Sequence, residues 1–246
     1  MTVTQAFGWE FLGTAVLMLF GNGVCAANAL RTSAARGSGW LVIALGWGLA
    51  VFAGASIADT SGGHINPAVT LMLAVRGDVP WDIVPAYVAG QLAGAMCGAV
   101  LAWVAFKQMF DANNVDSTGK TTKANHATGS IFYTQPAHSH NGWNLATEFL
   151  ATCTLLAFIV FGPIGGLTLG PMKYFPVAFI VVAIGLSLGT PTGYALNPAR
   201  DLGPRLMYAF VLPIPDKGKV NWSYAWVPII GPILAAITVG ALSLAL

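Results

Sequence analysis

The chain is a series of long apolar runs separated by short polar ones. Six segments carry almost no Asp, Glu, Lys or Arg: roughly residues 11–30, 37–58, 83–106, 149–172, 174–199 and 222–246. Each is near the ~20 residues that an α-helix needs to cross the hydrocarbon core of a bilayer. The pattern therefore predicts six transmembrane helices. It does not show the short alternating strands of a membrane barrel. Two further apolar pieces are too short to span, and each follows Asn-Pro-Ala, at 66–68 and 197–199. Asn is a strong helix N-cap and Pro suits the first helical position. Helices are thus predicted to start at Asn66 ("PAVTLMLAV") and at Asn197 ("PARDLGPRLM"). A piece of ~10 residues rises ~15 Å, half the hydrocarbon thickness.

The pattern also repeats. "EFLGT" at 10–14 returns as "EFLAT" at 148–152, and "INPAV" at 65–69 returns as "LNPAR" at 196–200. Each half holds three spanning segments and one short piece. Three is odd, so the halves must lie in opposite orientations, which is an inverted repeat. The predicted fold class is an all-α membrane protein with six transmembrane helices and two half-helices. It forms a single domain over 1–246, with repeat one at about 6–106, a linker at about 107–142 and repeat two at about 143–246. The linker is polar and reads as an exposed loop with short turns and no assignable chemistry. Its His126, His138 and His140 lack Cys or carboxylate partners at ligand spacing, so no metal site is expected.

Composition agrees with a membrane protein: 56% of residues are hydrophobic and 8% charged, against about 25% charged in soluble domains. A net charge of +2 gives no reason to expect a nucleic-acid partner. Cys25, Cys97 and Cys153 stand singly in apolar runs and read as packing residues. The first basic residue is Arg31, so the first apolar run does not read as a cleavable signal peptide. With alternating helices, Arg31, Arg36, Lys107, Lys120, Lys123, Lys217 and Lys219 share one side, and Arg76 and Lys173 the other. The positive-inside rule puts the richer side in the cytoplasm.

Two half-helices that meet at their N-termini place two partial positive charges at the midplane, an unfavourable field for a cation. Asn66 and Asn197 cap their own helices through the side-chain carbonyl, which leaves each NH2 free to donate to a passing molecule. The segments "TSGGHI" (60–65) and "GTPTGYAL" (189–196) are too rich in Gly and Pro to be helical. Non-helical backbone at membrane depth is tolerated where it lines a watery cavity. The carbonyls of Gly62, Gly63, His64 and Ile65, and of Gly193, Tyr194 and Ala195, then form a series of acceptors. Glu10, Glu148 and His64 are expected to hold these loops by accepting backbone N–H groups; the alternative is a proton relay. Arg200 opposes the dipole of its own helix, and its twin in the first half is Val69, so the repeat does not demand a charge there. Arg200 is assigned to the path, the alternative being an ion pair with Asp201 or Glu148. Asp201 sits favourably near the helix start and orients the loop.

The two Asn-Pro-Ala boxes, the "EFLGT"/"EFLAT" pair, "SGGHINPAVT" and "GYALNPARDLGPR" together resemble the aquaporin (major intrinsic protein) family over the whole chain. The resemblance implies a pore in each protomer of a homotetramer in the plasma membrane, with both termini cytoplasmic, against the basic-residue count. It implies no cofactor and no metal. In such pores an Arg and the half-helix dipoles exclude protons and cations. By motif position the filter is Trp47, Gly185, Tyr194 and Arg200, and the NPA residues are Asn66, Pro67, Ala68, Asn197, Pro198 and Ala199. Water-only members carry a bulky His at the place of Gly185. Trp47, Gly185 and Asp201 are similar to the glycerol-facilitator branch of bacterial type.

The implied function is a passive channel for glycerol, water and other small uncharged solutes across the lipid bilayer. The alternatives are a pore for water, urea, dihydroxyacetone, hydrogen peroxide or protonated lactic acid with poor glycerol flux, or a proton-coupled transporter. No nucleophile–base pair, metal cluster or phosphate loop supports an enzyme. Two departures from the family pattern stand out. Tyr194 replaces the more usual Phe, which bears on the width and polarity of the path. The interval from Trp47 to Asn66 is about one residue short. Unless 56–63 absorbs this, Trp47 rotates off the path and Gly46 or another residue faces it.

Overall fold

The long helices are apolar on every face, as a helix between lipid and protein must be. Leu12, Phe20, Leu45 and Leu49 face outward while Leu17, Met18 and Ala50 are buried. The computed structural model describes residues 1–116, 118–162 and 169–246. Its helices are α1 (Val3–Ala29), α2 (Trp40–Ile57), α3 (Pro67–Arg76), α4 (Val84–Ala105), α5 (Lys107–Ala112), α6 (Gly129–Phe132), α7 (Asn141–Phe161), α8 (Phe175–Leu188), α9 (Pro198–Phe210) and α10 (Val227–Ala245). Among the described residues the only β pairing is an isolated bridge between Val115 and Thr121. Helices α1, α2, α4, α7 and α10 are long and apolar enough to span. Helices α3 and α9 are the half-helices.

Two predicted spans differ from the observed ones. The first, expected from residue 11, begins at Val3, because Thr2 and Gln5 form a capping box there. The fourth begins at Asn141 rather than 149, because His140 Nδ1 accepts the Trp143 N–H and caps α7. Residues 163–168 of that expected span lie outside the described residues. The fifth ends at Leu188, where the Gly- and Pro-rich 189–196 was expected to stop it.

The inverted repeat shows in the packing. Helix α1 lies along α4 and α7 along α10, while α3 packs on α10 and α9 on α4. Each half-helix thus rests on the last helix of the other half. The α1–α4 approach is set by Gly90, Gly94 and Gly98. A Cβ there would come within 2.3–2.4 Å of the carbonyl oxygens of Phe7, Phe11 and Ala15.

The linker is exposed only in part. Phe110, Ile131, Phe132 and Tyr133 are buried against Leu30, Tyr208, Leu212 and Ile214. Asn113, Asn114, Asn125, Thr128 and Thr134 are also inside, while the linker's lysines and histidines stay at the surface. Asn125 Nδ2 donates to the carbonyls of Phe110 (3.0 Å) and Pro215 (2.8 Å), and its Oδ1 accepts from Asn113 Nδ2 at 2.8 Å. Polar composition signals exposure only when the groups bond to water; here they bond to one another. The linker is a folded cap over the end of α9.

Candidate functional site

Both half-helices start as their sequences require. Asn66 Oδ1 accepts the Ala68 N–H at 2.9 Å, and Asn197 Oδ1 accepts those of Ala199 (3.0 Å) and Arg200 (3.1 Å), with Pro67 and Pro198 at the first helical positions. The amides are not wholly free, however. Asn66 Nδ2 donates to the Leu196 carbonyl at 2.9 Å, and Asn197 Nδ2 donates to the Ile65 carbonyl at 2.7 Å. These two bonds tie the loops together across the pseudo-two-fold axis. An NH2 has two hydrogens, so each asparagine keeps one for the cavity. The Ile65 carbonyl has two lone pairs and keeps one after accepting from Asn197.

The loops hold an unusual backbone. Ile65 (φ +44°), Tyr194 (φ +38°) and Leu196 (φ +56°) occupy the left-handed region without being glycine. Each such residue costs of order 1–3 kcal/mol and persists only where the surroundings enforce it. The enforcing groups are the repeated glutamates. Glu10 accepts from Ser61 Oγ, the His64 and Ile65 N–H groups and Gln91 Nε2, at 2.6–3.1 Å. Glu148 accepts the Ala195 and Leu196 N–H groups at 2.9 and 3.1 Å. The His64 ring does not accept a backbone N–H. Its Nδ1 meets Thr70 Oγ1 at 3.0 Å, and the ring stacks on Tyr87.

A cavity of about 450 Å3 runs past both loops. One wall is apolar: Val51 and Ala55 of α2, Leu155 and Ile159 of α7, and Val177 and Val181 of α8. The other is polar and comes from Gly62–Asn66 and Tyr194–Asn197. Leu196 lines it where Gly193 had been expected, and Gly193 does not. At one end stand Trp47, Tyr194 and Arg200. The Arg200 guanidinium lies 3.9 Å above the Trp47 ring, and Arg200 donates to the Phe132 carbonyl at 3.2 Å.

Trp47 therefore faces the cavity. Gly46 points at Val24 of α1, and Gly21 opens the space that the Trp47 ring fills. Between α2 and Asn66 the chain makes a 3-10 turn at Asp59–Ser61. Gly185 does not itself line the cavity. A Cβ at Gly185 would lie 2.9 Å from Tyr194 Cζ, and one at Gly189 would lie 2.6 Å from Tyr194 Cδ1. The two glycines form the notch in α8 that seats the Tyr194 ring. Trp40 closes the notch with an edge-on contact to Tyr194, and its Nε1 donates to the Gly185 carbonyl at 2.7 Å.

Among the described residues Arg200 forms no ion pair, with Asp201, Glu148 or any other carboxylate. Asp201 pairs instead with Arg205, at 2.7 Å from its Nη2 and 2.8 Å from its Nε, and accepts from Thr134 N (2.8 Å) and Oγ1 (2.6 Å). The i,i+4 spacing of Asp201 and Arg205 was readable in "DLGPR". Thr134 and Phe132 had no such signal, since both act largely through backbone atoms. At the other end of the cavity Lys173 and Tyr174 contribute to the lining. Both bind Asp59, the tyrosine hydroxyl donating at 2.7 Å. Hydrogen bonds from Lys173 first, and Tyr174 second, hold the Asp59 carboxyl below the ordinary carboxylate value. No group of three or more His, Cys, Asp or Glu able to hold a metal occurs among the described residues.

The comparisons with known proteins concern the family and the fold. Residues 1–243 match the family model described as "Major intrinsic protein". The "Glycerol uptake facilitator protein" of Bacillus subtilis (strain 168) is 44% identical over 93% of this chain and 80% of its own length. Its namesake in Streptococcus pneumoniae (strain ATCC BAA-255 / R6) is 43% identical over 95% of each chain. The X-ray structure of the aquaglyceroporin from Plasmodium falciparum superimposes with a TM-score of 0.80, at 28% identity, over 98% of this chain and 95% of that one. The chain belongs to the major intrinsic protein family.

Proposed function

We propose that this protein is a passive plasma-membrane channel for glycerol and other small uncharged solutes, together with water. The observation that carries the reading is the two-sided cavity. Carbonyls, two asparagine amides and Arg200 face an unbroken wall of Val51, Leu155, Val177 and Val181. A polyol has a hydroxyl edge and a hydrocarbon edge, and each meets its own kind. Trp47 and Tyr194 form the apolar corner of the filter, Arg200 its donor, and Gly185 the recess that lets the Tyr194 ring stand back. Binding that is close but weak permits both entry and release. The relatives named as glycerol uptake facilitators support this choice of solute.

A proton-coupled transporter is a poorer fit. Every acceptor site on Glu10 already faces a donor, which leaves no place for a relayed proton. Nothing in the site calls for enzymatic chemistry. The same proposal places both termini in the cytoplasm and four protomers in one assembly, each with its own pore. The test is osmotic. Proteoliposomes should shrink in hyperosmotic sucrose and re-swell quickly in glycerol, without saturation or response to a proton gradient. Water flow with no re-swelling in glycerol sinks the solute assignment; saturable uptake driven by a proton gradient sinks the channel.

A further inference from the structure

Arg200 has a carboxylate as its immediate neighbour in sequence and does not pair with it. The reason lies in what surrounds Asp201. Oδ1 accepts from Nε and Nη2 of Arg205 at 2.8 and 2.7 Å, and Oδ2 accepts from N and Oγ1 of Thr134 at 2.8 and 2.6 Å. A carboxylate offers about four lone-pair sites, so Asp201 is saturated. Arg205 is equally committed. It is wholly buried, it donates to the carbonyls of Thr134 (3.0 Å) and Asn221 (2.9 Å), and its guanidinium lies 4.3 Å from the Tyr133 ring. The same three-residue stretch, Phe132 to Thr134, supplies the one carbonyl that Arg200 contacts. The first half has nothing comparable: the positions matching Arg200, Asp201 and Arg205 are Val69, Thr70 and Ala74.

We propose that Arg205 and Thr134 are positioning residues for the filter. They saturate Asp201 and pin the linker, so that Arg200 is held by the Phe132 carbonyl and the Trp47 ring, with no carboxylate, and keeps its charge for the cavity. This deepens the reading of the site as a polyol channel and rests on it. If either clamp is loosened, Asp201 regains a free lone pair in a medium where opposite charges attract strongly. Its neighbour in sequence, Arg200, has no carboxylate partner among the described residues. Its withdrawal towards Asp201 widens the filter and weakens the cation barrier together, which loss of packing alone does not do.

The test uses full-length protein in proteoliposomes, with light scattering for solutes and a pH-sensitive dye for proton leak. Thr134→Val removes one hydroxyl donor while keeping shape and backbone. Arg205→Lys keeps the charge and removes the fork. Losing one hydrogen bond to a charged group shifts an equilibrium about tenfold. Both variants should therefore lose about that factor of discrimination between glycerol and a five-carbon polyol such as xylitol. Both should leak protons, and Thr134→Ser should behave as wild type. Folded, water-conducting Thr134→Val and Arg205→Lys proteins with wild-type discrimination and no leak overturn the proposal. If Arg205→Lys does not fold, the comparison of Thr134→Val with Thr134→Ser decides alone. If the wild type itself passes no glycerol, the failure belongs to the assigned solute and not to the clamp.

Discussion

Replacing Glu10 by Gln tests whether the repeated glutamates are anchors or carriers of protons. Glu10 Oε1 accepts from Ser61 Oγ (2.6 Å) and the His64 N–H (3.1 Å), and Oε2 from the Ile65 N–H (2.7 Å) and Gln91 Nε2 (2.7 Å). A glutamine has one acceptor oxygen, so either placement of its amide sets an NH2 against a backbone N–H. Gln91 can turn to present its Oε1, which has no partner among the described residues; the backbone cannot turn. The loss is one hydrogen bond to a charged group, about 1.5–3 kcal/mol, plus about 1–3 kcal/mol for the N–H left without an acceptor. A total of about 4 kcal/mol corresponds to a melting temperature lower by about 10 °C. The damage is local first. Ile65 is held at φ +44° by this carboxylate, and its carbonyl receives Asn197 Nδ2. Glycerol flux should fall together with stability, measured by thermal unfolding in detergent and by re-swelling of proteoliposomes. A Glu10→Gln protein that melts and conducts like wild type would show that the carboxylate is not the anchor. One that melts like wild type but loses uptake only under a proton gradient would make Glu10 a relay.

Three further outcomes follow from the site. Arg200→Ala removes the guanidinium over Trp47 and the bond to Phe132; glycerol should still pass while protons and small cations begin to leak, and intact cation rejection removes Arg200 from the barrier. Gly185→Ala puts a Cβ 2.9 Å from Tyr194 Cζ, so glycerol flux should fall more than water flux and a second change, Tyr194→Ala, should restore it; equal loss of both fluxes refutes the notch. Asp59 has a lowered folded pKa, set first by Lys173 and then by Tyr174. Its contribution is present above the unfolded value near 3.9 and is lost as pH falls through the lowered folded value. The melting difference between wild type and Asp59→Asn should thus be present at neutral pH and shrink as pH falls below the unfolded value, and a difference that does not shrink in acid contradicts the ion pair.

Much of the frame was legible in the sequence because it depends on local chemistry. Asn before Pro starts a helix wherever it stands, and uncharged runs of sufficient length read as spans. The end of α8 was legible from fewer residues. Leu188 to Leu196 is as free of charge as the helix before it, and only Gly189, Pro191 and Gly193 mark the change. The register of Trp47 was illegible, because a 3-10 turn at Asp59–Ser61 alters the rise per residue without altering composition. The linker misled for a different reason. Asn113, Asn114, Asn125 and Thr134 look like water-facing residues, and each spends its polar atoms inside the protein. The group that holds Arg200 is a backbone carbonyl 68 residues away, and every residue has one, so no pattern of side chains could announce it.

The linker and the asymmetry of the pore are one problem with one solution. The frame is close to two-fold: Asn66 reaches Leu196 as Asn197 reaches Ile65, and Glu10 and Glu148 hold matching loops. A frame of that kind offers the same groups on both sides of its centre and cannot by itself place a single charge. Arg200, Asp201 and Arg205 break it, against Val69, Thr70 and Ala74. A buried charge that loses its partner costs about 3–5 kcal/mol, so three of them require a fixed set of partners. Neither repeat has a spare glutamate to give, since its own loop already uses it. Besides Trp47 and the Asn221 carbonyl, the partners come from Phe132, Tyr133 and Thr134, which lie between the repeats and belong to neither. A linker that were merely a flexible tether could not hold them, so the charged half-helix requires the linker to fold. The charges and the folded linker are therefore a single structural unit, and loosening residues 132–134 should unsettle α9 while leaving α3, its uncharged twin, in place.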